Sequence, residues 1–111
     1  MWIYTQQGFY SIVEDRDDPD MLLVRARVKG DSERLWPKAK VSEGEGSDYS
    51  FRARILRNAV AKVLSQEIKS VDYDNFKDRI DHTDPERGYW YHRIWTLMCC
   101  LQAAVRESAK F

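Results

Sequence analysis

The chain has 111 residues and a formal net charge of zero, because 18 Lys and Arg residues balance 18 Asp and Glu residues. A chain of this length predicts one domain over residues 1–111, large enough to bury a core without disulfides or a metal ion. The zero net charge argues against general polyanion binding but is compatible with a local basic patch. Since no run of 18 apolar residues occurs, we expect no membrane span and no membrane partner.

The only cysteines are the adjacent residues Cys99 and Cys100. Neighbours on a helix point about 100° apart, so these two cannot form a disulfide with each other without distortion. We therefore expect reduced thiols, with Cys100 as a small core residue, in a cytoplasmic protein. The segment Met1–Ile3 has no basic n-region, so we expect no signal peptide.

Strand patterns dominate the first part of the chain. Residues 2–5 and 9–14 are rich in aromatic and β-branched types and predict a β-hairpin. A third strand is predicted over Met21–Lys29, where every second residue from Leu22 to Val28 is apolar and belongs to one face.

The middle of the chain predicts a short helix, a loop and a fourth strand. Asp31 or Ser32 is a suitable N-cap for the helix, and Pro37 ends it. The segment 40–48 is rich in Gly, Ser and Glu and predicts a loop. Tyr49–Ile55 resumes the alternating pattern and predicts the fourth strand.

Three helices are predicted in the remainder of the chain. Apolar spacing places them over 58–70, over 73–80, and from Asp84–Pro85 to about Ser108. The apolar stripe of the last helix consists of Trp90, Ile94, Leu97, Met98, Leu101 and Val105. This order of elements predicts an α+β fold in which a mainly antiparallel four-stranded sheet has helices packed on one face, giving two layers.

Two five-residue runs, Val24–Val28 and Phe51–Ile55, are nearly the same. Each alternates apolar and cationic residues, which is the period-two pattern of a half-buried strand. If both strands belong to one sheet, its open face carries four arginines and a lysine, namely Arg25, Arg27, Arg52, Arg54 and Lys29. Because the guanidinium fork binds carboxylate or phosphate through two hydrogen bonds, this face is a candidate site for an anionic partner.

Like charges on neighbouring strands destabilise a sheet unless something neutralises them. Glu14 or Glu45 folding across the face, solvent alone, or a bound anion would each do so. The plainest interpretation is a solvated face whose arginines form weak surface ion pairs. Trp2, Tyr4 and Tyr10 on the hairpin favour a functional interpretation, since aromatic rings beside cations bind single-stranded nucleic acids.

A second candidate surface is the aromatic segment Tyr89–Trp95. Trp90, Ile94 and Leu97 are expected on the core side of this helix. Tyr91 and Trp95 lie around the helix and are candidate binding residues, because Tyr and Trp are enriched at interface hot spots. The alternative is a broadly buried helix, since aromatic side chains dominate core burial. An exposed Trp95 or a free hairpin edge would allow a homodimer.

The acidic segment Asp72–Asp84 is compatible with a metal-dependent enzyme, because grouped carboxylates bind Mg²⁺ or Ca²⁺. It lacks the EF-hand pattern, however, and the chain contains no Gly-rich phosphate loop, nucleophile elbow or spaced zinc ligands. We therefore expect no metal, no cofactor and no enzymatic activity, with Asp72 or Asp74 capping a helix.

Several short runs carry a resemblance to other proteins. They are Met1–Thr5, Gly8–Ser11, Val24–Arg27, Tyr49–Ala53, Asp72–Lys77 and Tyr91–Trp95. In this order and at these separations, from Met1 to about Leu101, they resemble a family of small uncharacterised proteins found in bacteria and in the phages that infect them. The resemblance implies an accessory role exerted through binding, with inhibition of a host defence system such as CRISPR as its specific form. It implies no activity, cofactor or catalytic residue.

From the residues and the resemblance together, we expect a small, non-enzymatic binding module whose partner is an anionic protein surface. A nucleic-acid-binding protein that uses the same basic face is the first alternative. A metal-dependent enzyme that uses the carboxylates of Asp72–Asp84 is the second.

Overall fold

The computed structural model of the chain describes residues 1–44 and 48–109. These residues form two compact units, one over Met1–Val71 and one that begins at Asp72. The first unit contains an antiparallel sheet with two helices, and the second contains a pair of helices.

The sheet has five strands, which are β1 (Trp2–Tyr4), β2 (Phe9–Glu14), β3 (Met21–Ala26), β4 (Ser42–Glu43) and β5 (Phe51–Leu56). Their spatial order is β1-β2-β3-β5-β4, and every neighbouring pair is antiparallel. The predicted α+β class and mainly antiparallel sheet are confirmed. The four predicted strands are joined by a fifth, β4, which is too short to show an alternating pattern and lies in the predicted loop.

Strand β3 ends at Ala26, before the alternating pattern of its sequence does. Val28 was expected on the apolar face but lies beyond the sheet and is exposed. Gly30 then adopts a φ of 94°, a left-handed conformation that glycine reaches without strain. It is therefore Gly30, and not Asp31 or Ser32, that occupies the N-cap of the first helix.

Helices α1 (Asp31–Leu35) and α2 (Arg57–Lys69) cover one face of the sheet, the inner face. The buried strand residues of the inner face are Tyr10, Ile12, Val24, Ala53 and Ile55. They pack with Trp36, directly after α1, and with Val60 of α2. The ring of Trp36 meets that of Tyr10 edge-on, with the centroids 5.5 Å apart. Within this unit, both helices lie on the same side of the sheet.

A buried polar contact ties α1 to the β1–β2 hairpin. Asp31 is only 1% exposed. Its carbonyl accepts a 2.7 Å hydrogen bond from the hydroxyl of Tyr10, and its carboxylate accepts from the backbone N–H of Phe9 at 3.4 Å. Arg34 donates to the same carboxylate at 2.7 Å, so the buried charge has a cationic partner.

The second unit consists of α3 (Phe76–Thr83) and α4 (Pro85–Ala109). Helix α3 begins later than predicted because Asn75 caps it, its side-chain oxygen accepting from the N–H of Asp78 at 3.0 Å. The preceding aspartates, which were expected to cap, do not take this position.

Helix α4 begins where its sequence predicts. The carboxylate of Asp84 accepts a 3.1 Å hydrogen bond from the N–H of Arg87, and Pro85 follows as the first helical residue. Against α3, the ring of Tyr91 stacks on that of Phe76, with centroids 5.9 Å apart and an interplanar angle of 22°.

The apolar stripe of α4 does not face a core. Trp90 and Leu97, which were expected on the core side, are 58% and 63% exposed. Cys100, expected in the core, is a free and exposed cysteine. The reason is that α3 packs against the side of α4 that carries Tyr91, so the stripe points elsewhere. In the part of the chain that the structure describes, no helix combines the length and apolar character needed to cross a membrane.

Gly8 is a position where the fold leaves no room for a side chain. A Cβ placed on Gly8 would lie 2.6 Å from the carboxylate of Asp31. We therefore expect Gly8→Ala to lower the free energy of unfolding by about 1–3 kcal/mol, because the hairpin or α1 must shift. Urea denaturation of the purified variant measures this change.

A double-mutant cycle with Asp31→Ala supplies the control. Without the Asp31 carboxylate the collision is absent, so the cost of Gly8→Ala is expected to fall in that background. An equal cost in both backgrounds would contradict the assigned contact.

Candidate binding face

The face of the sheet opposite α1 and α2, the outer face, carries three of the four predicted arginines, Arg25, Arg52 and Arg54, while Arg27 follows the end of β3. One row across the strands consists of Trp2, Ser11, Arg25, Arg52 and Ser42. A second row consists of Val13, Leu23 and Arg54. The two similar sequence runs are therefore neighbouring strands, and Arg25 lies directly opposite Arg52.

The ring of Tyr49 contacts two of the guanidinium groups. The Cζ atom of Arg25 lies 4.6 Å from the ring centroid, and that of Arg27 lies 4.2 Å from it. Tyr49 is buried, and Arg25 also donates a 2.7 Å hydrogen bond from Nη2 to the buried hydroxyl of Ser11. Because the aromatic face is electron-rich, these contacts offset part of the repulsion between the cations.

Arg54 is held by an acid of the turn between β2 and β3. Its Nε and Nη2 donate to the two carboxylate oxygens of Asp15 at 2.9 Å and 3.0 Å. The same carboxylate accepts from the backbone N–H groups of Asp17 and Asp18, at 3.1 Å each. The hydrogen bond from Arg54, assisted by these N–H groups, holds the pKa of Asp15 below its ordinary value.

Arg27 has a more exposed ion pair. Its Nη1 lies 3.1 Å from Oδ1 of Asp48, and both side chains are largely in solvent. Glu14, expected as a neutralising group for the face, instead pairs with Arg57 at 2.7 Å. Glu45, the other expected group, lies outside the described residues. Two of the four arginines thus have carboxylate partners that the sequence did not identify.

Arg25 and Arg52 are the candidate anion site of the outer face. Their Nε atoms are buried and have no hydrogen-bond partner within residues 1–44 and 48–109. A buried donor without a partner costs roughly 1–3 kcal/mol, and like charges directly opposite each other add to this cost. Both side chains are partly exposed, so a carboxylate or phosphate placed over the pair would accept from the remaining guanidinium N–H groups and neutralise both charges.

An aromatic edge adjoins the arginines. Trp2 is 67% exposed, and its ring meets that of Phe9 edge-on at a centroid distance of 6.2 Å. Tyr4 and Phe9 are stacked at 4.5 Å. Burial, together with the nearby Tyr49, raises the pKa of Tyr4. Tyr10, expected beside the cations, lies on the inner face instead, because alternate residues of β2 point to opposite sides.

The remaining predicted site residues do not belong to the strands. Lys29 is exposed and follows the end of β3. Tyr91 and Trp95 belong to the second unit, where the ring of Tyr91 is covered by Phe76 and only 8% exposed. Trp95 is half exposed, with Nζ of Lys77 3.7 Å from its ring centroid.

The carboxylates of the acidic segment form local contacts. Asp72 pairs with Arg79 at 2.7 Å, Asp84 with Arg87 at 3.1 Å, and Asp81 with His92 at 3.0 Å. Among the described residues, no group of three His, Cys, Asp or Glu side chains is placed to hold a metal ion. These carboxylates therefore connect and cap the helices of the second unit.

No protein-family model, curated protein or solved structure matches the chain. Its function is accordingly inferred from the chemistry of the outer face. The resemblance to bacterial and phage proteins stays a prediction.

The sequence did not single out four residues of this site, namely Ser11, Asp15, Asp48 and Tyr49. The position of Tyr49 directly before the second arginine run was a usable signal. Asp15 opens the acidic turn between two strands, and the turn had to lie at one end of the sheet. Which arginine it meets depends on strand register, which a single sequence does not fix.

The Asp15–Arg54 pair makes stability depend on pH. Since the pKa of Asp15 is lowered in the folded state, the pair stabilises the protein above the unfolded-state pKa of about 3.9, and this contribution is lost as the pH falls through the lower folded-state pKa. We expect the difference in Tm between the wild type and Asp15→Asn to be largest above about pH 5 and to shrink toward about pH 2. Thermal unfolding followed by circular dichroism measures it.

The same comparison in an Arg54→Met background is the control for this prediction. Without the guanidinium, the pH-dependent difference caused by Asp15→Asn is expected to be smaller. Tm profiles of wild type and Asp15→Asn that run parallel across this pH range would show that the pair does not act as assigned.

Arg52→Met should stabilise the fold, because it removes one of two opposed charges and a buried donor without a partner. We expect the free energy of unfolding to rise by about 0.5–1 kcal/mol, as measured by urea denaturation. Arg54→Met, on the same strand, breaks the Asp15 pair and is expected to lower stability. If Arg52→Met is less stable than the wild type, the opposition of Arg25 and Arg52 does not destabilise the fold.

Proposed function

We propose that the chain is a small non-enzymatic binding module that uses its outer face to bind an acidic surface of another protein. The observation that carries this proposal is the opposed pair Arg25 and Arg52, with buried Nε donors that lack partners among the described residues. Binding would occlude the partner, in line with the accessory role that the resemblance to bacterial and phage proteins implies. Inhibition of a host defence system such as CRISPR is the specific form of that role.

The charge of the outer face favours a partner with a few fixed anionic groups. Arg27 and Arg54 already pair with Asp48 and Asp15, and the chain as a whole has no net charge. A nucleic acid is bound through several cations that follow its phosphates and displace counterions. Two opposed guanidinium groups instead match one or two carboxylates of a folded protein.

Apolar side chains on the outer face support a protein partner as well. Trp2 shares a row of the sheet with Arg25 and Arg52 and is largely exposed. Leu56, at the end of β5, is 59% exposed, and Val13 is 37% exposed. Protein interfaces combine apolar contact area with Arg and Trp anchors in this way.

A nucleic acid is the second candidate partner, and the exposed ring of Trp2 beside the stacked Tyr4 and Phe9 favours it. A base stacked on Trp2 would add to contacts between arginines and phosphates. Such binding weakens steeply with salt, by roughly one unit of log–log slope per phosphate contact. Titrations with a single-stranded oligonucleotide and with an acidic peptide, at several salt concentrations, separate the two candidates.

Charge reversal of the opposed pair tests the proposal. From a nuclease-treated bacterial lysate, we expect Arg25→Glu/Arg52→Glu to capture at least about tenfold less of each partner protein than the wild type does, because the reversed face would repel acidic partners. The matched control Lys62→Glu/Lys69→Glu reverses two exposed lysines of α2 and should leave capture unchanged. Circular dichroism checks that both variants are folded.

Two results would overturn the proposal. If the proteins captured by the wild type are lost after nuclease treatment, the chain binds nucleic acid and not an acidic protein surface. Capture that is the same for Arg25→Glu/Arg52→Glu and for the wild type would show that the outer face is not the binding surface.

A further inference from the structure

The second half of α4 is an uncharged and exposed helical surface. The twelve residues of Ile94–Val105 include no Asp, Glu, Lys or Arg. Apart from the partly buried Ile94, their large apolar side chains are at least half exposed, with Leu97 at 63%, Met98 and Leu101 at 55%, and Val105 at 59%. A contiguous apolar surface of this kind marks an interaction site.

The apolar residues of this surface follow the spacing of helix pairing. Alternating intervals of four and three residues keep apolar side chains on one side of a helix, where they face a partner helix. In α4 this spacing connects Trp90, Ile94, Leu97, Leu101 and Ala104. Helix α3 does not cover this side, since its Phe76 stacks on Tyr91.

The charges at the edge of the stripe identify the occupant. Arg93 and Glu107 lie seven residues before and seven residues after Cys100, so the three form one column about two turns apart along the helix. In an antiparallel pair of α4 helices centred on Cys100, Arg93 of each copy meets Glu107 of the other. In a parallel pair, equal charges would lie at the same level and no such pairing would form.

We propose that this stripe binds a second copy of the chain, with the two α4 helices antiparallel and Cys100 of both copies beside the two-fold axis. From Trp90 to Val105 the helix is about 23 Å long. If about six apolar side chains per copy each bury about 100 Å², the dimer buries about 1,200 Å² in total, which is the lower end of the range for stable interfaces. The dimer rests on α4 alone and is independent of the function proposed for the outer face.

Sedimentation equilibrium of the full chain tests the association. The wild type should sediment at twice the 13.1 kDa mass of one chain at high micromolar concentration. Leu97→Glu places a charge in the stripe and should raise the dissociation constant at least about tenfold. Gln102→Glu is the matched control, because the exposed Gln102 lies about 100° around the helix from Leu101 and away from the Arg93–Glu107 column, so its variant should remain dimeric.

A charge exchange tests the antiparallel direction. Arg93→Glu sets like charges opposite each other and should weaken the dimer about fivefold or more, and Arg93→Glu/Glu107→Arg should restore it. A short bis-maleimide should then join two chains of Cys99→Ser through Cys100. It should fail with Cys100→Ser, because Cys99 lies about 100° further around the helix.

A wild type that stays monomeric at high micromolar concentration overturns the proposal. So does a dimer that survives Leu97→Glu, since its contact would lie elsewhere. A dimer that the charge exchange does not restore, or that cross-links equally through Cys99, overturns the antiparallel arrangement. Circular dichroism of each variant establishes that loss of the dimer is not loss of the fold.

Discussion

The opposition of Arg25 and Arg52 across β3 and β5 is the constraint on which the outer face depends. The apolar residues between the arginines must face α1 and α2, and this requirement excludes a one-residue shift of the strand register; the register adopted pairs Arg25 with Arg52. The same register brings two positive charges to adjacent positions on the other side of the sheet. Part of the repulsion among the four arginines is offset by side chains from other segments, namely Ser11, Asp15, Asp48 and Tyr49. The fold is therefore compatible with an arginine-rich face because its turns and loops supply the compensating groups.

The four arginines are not neutralised equally, and this difference indicates where an anionic partner would bind. Arg54 donates two hydrogen bonds to Asp15, and Arg27 forms an ion pair with Asp48. Arg25 and Arg52 instead keep buried Nε donors without partners in the described part of the chain. Local costs of this kind are kept in natural proteins where function requires them. A partner carboxylate over the partly exposed guanidinium groups would relieve the repulsion between them, which is the physical basis of the proposed function.

The sequence predicted four of the five strands and placed the arginines of each run on one side of their own strand, because an alternating pattern determines both the element and the side that each residue faces. It left open whether the two runs share a face, which depends on the pairing of β3 with β5. It did not predict the Asp15–Arg54 pair or the contact of Tyr49 with two arginines, because these join residues that are distant in sequence. The prediction that the side of α4 with Trp90 and Leu97 is buried was wrong. The consecutive aromatic residues Tyr89, Trp90 and Tyr91 point to different sides of that helix, so its periodicity did not distinguish Trp90, which is exposed, from Tyr91, which is buried. Strand β4, with two residues, carries no pattern to read.

The most direct test of the account is an NMR titration of the arginine Nε–H signals with a peptide rich in Asp and Glu. We predict that the Nε–H signals of Arg25 and Arg52 shift together as the peptide binds, because a carboxylate then lies against both guanidinium groups. The signal of Arg54, whose Nε already donates to Asp15, should stay in place. Peptide binding that leaves the Arg25 and Arg52 signals unmoved, or that shifts all exposed arginines equally, would contradict the opposed pair as the binding site.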